Sequence, residues 1–178
     1  MLMNNFDVCL LKLPFIREWI LSRVTKKYFR QYFDKLKNGT ILEIGCGNGA
    51  GAKIIKKHFS PKKIIAFDLD PRMISQAKRY VYDRSIIFEV ADAAKLPYKN
   101  NSFDAAFDYV AIHHIPSPDW KKCLDELYRV LKPRGLVFIY DIAIESFNTL
   151  WGRVLRIITD HPYESMYTEE EFISYLKK

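Results

Sequence analysis

Apolar runs of strand length recur along the chain, at Ile41–Ile44, Lys63–Asp68, Ile86–Val90, Phe103–Val110 and Leu136–Ile142. Such runs are too uniformly apolar to face water on one side, which points to a parallel sheet covered on both faces. Helical periodicity lies between them. Ala50 to His58 places Ile54 and Ile55 inward before Ser60-Pro61 breaks the pattern. Asp70-Pro71 opens a helix that runs through Met73 and Ala77 to about Val81. Ser117-Pro118-Asp119 opens another, whose apolar face is Cys123, Leu124, Leu127 and Leu131. In both, a capping side chain precedes proline at the first helical position. The order β-α-β-α-β-(loop)-β-α-β predicts a doubly wound α/β domain.

The flanks are helical. From Phe15 to about Phe33, Ile16, Trp19, Ile20 and Val24 share one face, and Arg17, Arg23, Lys26, Lys27 and Arg30 dominate the rest. Downstream, Phe147, Leu150, Trp151, Val154, Leu155 and Ile158 form a wide apolar stripe. Thr168-Glu169-Glu170-Glu171 is a capping box, placing a last helix over about Glu169 to Leu176. The predicted organisation is a helical cap (1–39), a core (40–145) and a helical lid (146–178) in one compact domain.

Composition narrows the partners. The 178 residues, 49% hydrophobic and 28% charged, describe a soluble globular chain with a proper core. A formal charge of +7 favours anionic partners, but the basic residues are scattered among carboxylates rather than blocked together. The basic amphipathic helix at 15–33 leaves peripheral membrane contact open. Cys9, Cys46 and Cys123 form no metal-ligand spacing and leave an odd thiol, so a reducing cytoplasmic setting is expected, with no metal. Lys12 and Pro14 interrupt the run Val8–Leu11, so no signal peptide is expected there.

The candidate chemistry sits where an open parallel sheet binds ligands, outside the carboxyl ends of its strands. Gly45, Gly47 and Gly49 form a turn between the first strand and its helix, with Glu43 just before it. The helix start offers unpaired N–H groups and partial positive charge to that turn. Asp68 ends the second strand, about twenty residues past the glycines, and suits a ribose diol. Asp92 follows the third strand and can accept from a purine amine, while Asp108 and Tyr109 close the fourth.

Glu43-Ile44-Gly45-Cys46-Gly47-Asn48-Gly49 resembles the first motif of the class I S-adenosylmethionine-dependent methyltransferases, in their small-molecule branch. Ala66–Met73, Val90–Tyr98, Ser102–Phe107 and Glu126–Gly135 are similar to that family's later motifs, in the family's order. The resemblance implies strand order 3-2-1-4-5 in a Rossmann-like sheet and S-adenosylmethionine as cofactor. It assigns Gly45, Cys46, Gly47 and Gly49 to the cofactor's methionine part, Asp68 to the ribose, and Leu69 and Met73 to the adenine. Asp92 and Ala93 would meet the adenine amine, with Glu43, Asp108 and Tyr109 beside the sulfonium. His113 and His114, after the fourth strand, would stand on the acceptor side as general base or orienting groups.

Two features depart from the family. Pro133-Arg134-Gly135 replaces the usual Pro-Gly-Gly, and this sequence stops at the helix before the family's last two strands, so either the sequence is shortened or the sheet edge closes another way, as in a homodimer. The expected reaction is methyl transfer to a small, apolar or lipid-like acceptor, because the flanking apolar helices suit a lid. Asp108-Tyr109-Val110 stands where base-modifying enzymes carry Asn/Asp-Pro-Pro-Tyr, so no nucleic acid is expected. The alternatives are a non-catalytic cofactor-binding relative acting through a partner, and an NAD-dependent oxidoreductase, since Gly45, Gly47 and Ala50 loosely imitate G-x-G-x-x-A.

Overall fold

The computed structural model describes residues 14–141, 143–144 and 166–177. Its centre is a five-stranded parallel sheet of β1 (Thr40–Ile44), β2 (Lys63–Asp68), β3 (Ile86–Val90), β4 (Phe103–Tyr109) and β5 (Leu131–Tyr140). The strand order is β3-β2-β1-β4-β5, so the chain reverses direction across the sheet between β1 and β4. The helices are α1 (Pro14–Val24), α2 (Ala50–Phe59), α3 (Pro71–Tyr80), α4 (Asp119–Val130) and α5 (Glu169–Leu176). The expected doubly wound sheet and its order are those observed.

Each sheet face carries its own core. On one, Ile41, Phe107 and Phe138 pack beneath Leu21 of α1, Ile54, Ile55 and Phe59 of α2, and Ile74 and Ala77 of α3. Phe107 and Phe138 stack at 4.5 Å, and Phe29 and Phe59 meet them edge-on. On the other face, Leu42, Ile44 and Ala106 pack under Trp120, Cys123, Leu124 and Leu127 of α4 and Phe172 of α5. Burying both faces is what makes the strands read as apolar runs.

Several local expectations are corrected. The helix from Phe15 is α-helical only to Val24, then widens to a π turn at Thr25–Phe29 and tightens to a 3₁₀ turn at Arg30–Tyr32. Its apolar stripe is not its inner face: Trp19 is 62% and Ile20 41% exposed, whereas Leu21 and Thr25 are buried. Polar anchors fix the rotation. Glu18 pairs with Lys53 at 2.7 Å, Ser22 bonds His58 at 3.0 Å, and Thr25 bonds the Tyr109 hydroxyl at 2.7 Å. Ser117 is no cap, because α4 starts at Asp119 behind Pro118, which makes no capping bond. β5 begins at Leu131, five residues before the expected Leu136, with a register irregularity opposite Phe103–Ala105. Leu131 therefore leaves the helix face assigned to it. The caps at Asp70 and Thr168 form, accepting from Arg72 N and Glu171 N. The stripe Phe147–Ile158 and Cys9 lie outside the described residues.

Candidate active site

The glycine turn is built by steric necessity. Gly45 has φ +55°, and a Cβ there would stand 2.4 Å from the Ala111 Cβ. That approach lets the segment after β4 close against the end of β1. The Cys46 N–H donates to the Phe67 carbonyl at 2.8 Å, and the Gly47 N–H donates to Asp68 Oδ2 at 2.9 Å, lashing the turn to β2. Asp68 Oδ1 accepts the Asp70 N–H at 2.9 Å, so one carboxylate orders both the turn and the start of α3. Two N–H donors leave lone-pair sites on Asp68 for a ligand. Burial raises its pKa and those two bonds oppose the rise. The Cys46 side chain is fully buried, so only backbone faces outward at that position.

Glu43 lies beneath the turn, 1% exposed. Its Oε1 sits against Gly51, where a Cβ would come within 1.8 Å, and its Oε2 has no hydrogen-bond partner among the described residues. Burial pushes its carboxyl up to about 8; Arg17 opposes the shift and Asp68 adds to it. Arg17 went unseen in the sequence as a site residue. From α1 it reaches in to donate from Nη2 to the Tyr109 carbonyl at 3.2 Å, half-buried beside the acids. Tyr109 itself is buried, with its hydroxyl on Thr25, and burial raises its pKa.

The opposite face carries a second polar group. Asp108 is fully buried, and its Oδ1 accepts the N–H groups of Ala111 and Ile112 at 3.1 and 3.2 Å. Burial first, then the neighbouring Asp141 carboxylate, push its pKa well up. Asp141 accepts the His113 N–H at 2.8 Å and meets His113 Nδ1 at 2.6 Å. The Tyr167 hydroxyl donates to the same carboxylate at 2.7 Å. His114 is half-buried, its ring centroid 4.0 Å from that of His113. Asp141 and Tyr167 were also missed. The rule that found Asp68 would have found Asp141 had β5 been ended at Tyr140 instead of Ile142.

The remaining candidates ring these two groups. Asp92 is exposed after β3, accepting the Ala94 N–H at 2.9 Å, with Ala93 half-buried beside it. Leu69 is 42% exposed at the end of β2, whereas Met73 is fully buried on α3 and presents no surface. The turn, Glu43, Asp68, Asp92, Asp108 and the histidines thus gather at one end of the sheet, on both sides of the β1/β4 switch point.

Residues 42–139, which include the glycine turn, the acids from Glu43 to Asp108 and both histidines, match the sequence model of a methyltransferase domain. The chain belongs to that family. A fatty-acid O-methyltransferase of Mycolicibacterium smegmatis is 33% identical over 116 residues, 65% of this chain and 41% of that protein. A demethylmenaquinone methyltransferase of Lactobacillus johnsonii is 28% identical over 169 residues, covering 84% of this chain and 67% of the relative. Among solved structures, an S-adenosylmethionine-dependent methyltransferase of Mesorhizobium loti superposes with a TM-score of 0.54 at 25% identity, over 68% of this chain and 52% of that one. The chain thus spans under half the length of the mycobacterial relative. The methyltransferase domain indicates S-adenosylmethionine as its cofactor. The site's chemistry fits that molecule: a buried acceptor on Glu43 lacking a donor suits a cation, and the cradle excludes a Cβ at Gly45 and Gly51.

Proposed function

We propose that this methyltransferase domain moves a methyl group from S-adenosylmethionine to a small, apolar or lipid-like acceptor. The observation that carries the reading is Glu43, a buried carboxylate with an unmet acceptor directly under the glycine turn. When bound, the cofactor supplies an activated methyl on a sulfonium. The chain's part is to hold, align and exclude water. Gly45, Gly47 and Gly49, with Cys46 backbone, cradle the methionine part, and Glu43 with Asp108 balances its positive charge. Asp68 takes the ribose hydroxyls through its spare lone pairs, Asp92 and Ala93 meet the adenine edge, and Leu69 covers it. Met73 supports that wall from beneath.

His113 and His114 serve the acceptor side. With Nδ1 committed to Asp141 in the 2.6 Å contact, proton transfer at His113 falls to Nε2. The apolar character of the acceptor is supported by relatives named for fatty acids and demethylmenaquinone. It is also supported by the outer face of α1 and the turn after it, where Trp19, Ile20 and Tyr28 are exposed among Arg23, Lys26 and Lys27.

The test is calorimetric titration with S-adenosylhomocysteine and NADH, followed by label transfer from S-adenosylmethionine to fatty acids and quinols. Binding of the first ligand and labelling of an apolar acceptor are expected. Binding of NADH alone would overturn the reading. Cofactor binding without transfer to any acceptor would favour a non-catalytic relative.

A further inference from the structure

Helix α1 brings into the site the one charge that the strand-end acids do not supply. Arg17 reaches the Tyr109 carbonyl at 3.2 Å, 92 positions away in sequence, and the charges of Glu43, Asp68 and Asp108 around the end of the sheet favour its charged form against burial. A guanidinium carries five N–H donors and no acceptor. Among the described residues, only Nη2 of Arg17 finds a hydrogen-bond acceptor. This is not a wandering surface arginine. The neighbouring Glu18–Lys53 pair and the Ser22–His58 and Thr25–Tyr109 bonds set the helix's rotation and hold Arg17 inward, at the expense of exposing Trp19 and Ile20.

The amino-acid end of S-adenosylmethionine carries an ammonium and a carboxylate. Glu43 and its fellow acids suit the ammonium and the sulfonium, and each of them repels the carboxylate. A carboxylate entering this cradle therefore needs a cation, and a planar guanidinium meets it bidentately. We propose that Arg17 binds the α-carboxylate of the cofactor, so that docking of α1 on the sheet and cofactor binding reinforce one another. The inference rests on the S-adenosylmethionine reading of the site.

Calorimetry on the wild-type chain, Arg17→Met and Arg17→Lys tests it, with two ligands. One is S-adenosylhomocysteine; the other is its decarboxylated analogue, which keeps the adenosine, thioether and ammonium. Arg17→Met is expected to bind S-adenosylhomocysteine about tenfold to a hundredfold more weakly, the range of a lost charge-assisted hydrogen bond. The decarboxylated analogue should bind wild type and Arg17→Met alike, which also shows that the variant's pocket is folded. Arg17→Lys should recover part of the loss, since it keeps the charge without the fork. Unchanged affinity of Arg17→Met for S-adenosylhomocysteine overturns the proposal. An equal loss for both ligands overturns it too, because Arg17 would then support the pocket without meeting the carboxylate. Failure of the methyltransferase reading shows separately, as a wild-type chain that binds neither ligand.

Discussion

At the scale of single residues, Glu43 concentrates the site's tension. Its folded pKa of about 8 lies above the ordinary value near 4.5, so between those pH values the folded chain holds a proton that the unfolded chain has lost. Its contribution to stability is therefore fully present below about pH 4.5 and disappears as pH rises through about 8. Urea denaturation at pH 5 and pH 9 should show the wild type losing more stability on alkalinisation than Glu43→Gln; equal losses would contradict the burial account. A bound cation draws the proton off. Titration with S-adenosylmethionine at pH 7 in buffers of different ionisation enthalpy should thus reveal proton release, which Glu43→Gln abolishes. Gly51 matters for the same carboxylate. A Cβ at 1.8 Å from Oε1 and 3.0 Å from the Tyr109 ring leaves Gly51→Ala overpacked. A loss of about 1–3 kcal/mol is expected by guanidinium denaturation, together with weaker cofactor binding.

At the scale of elements, capping and periodicity act locally and were correspondingly legible. Asp70 accepts the Arg72 N–H at 2.8 Å and grips its guanidinium, beginning α3 where the Asp-Pro pair predicted. Asp70→Ala should cost about 1–2 kcal/mol in thermal or chemical denaturation. Asp70→Asn should retain part of that stability, because the cap survives while the ion pair to Arg72 from the buried carboxylate is given up. β2 and β3 fall where apolar runs placed them. α1 did not follow its apolar stripe. Burying Trp19 and Ile20 would have contributed about 1.5–3 kcal/mol for each aliphatic-sized side chain, yet the helix turns its polar edge inward. Glu18, Ser22 and Thr25 instead bond α2 and β4, and Leu21 is buried, their bonding partners lying 35, 36 and 84 positions away. No local periodicity can register such distances.

At the scale of the molecule, that rotation leaves a surface of distinct character. Trp19 and Tyr28 stand exposed with Arg23 and Lys27 against their rings, at 4.9 Å each. Contact of this basic, aromatic face with an anionic lipid surface is a prediction, to be tested directly. Co-sedimentation with anionic vesicles is expected, weakening as salt rises and reduced by Trp19→Ala, with neutral vesicles left unbound. Salt-independent or absent sedimentation would remove the surface from consideration. No helix among the described residues is long and apolar enough to cross a membrane.

The sequence by itself determined the parallel sheet, its flanking helices, and the line of acids at the strand ends. Strand burial, glycine turns and caps are written in neighbouring residues, and the strand-end rule converts them into a site. Asp68 could be assigned to the site because its strand could be bounded; Asp141 was missed because its strand could not. Only the tertiary structure decided that Arg17 reaches the Tyr109 carbonyl, that Tyr167 and His113 share Asp141, and that Trp19 looks outward. Each depends on side chains from distant elements meeting at set rotations. Those meetings are fixed by packing around the whole sheet, and no spacing along the chain encodes them.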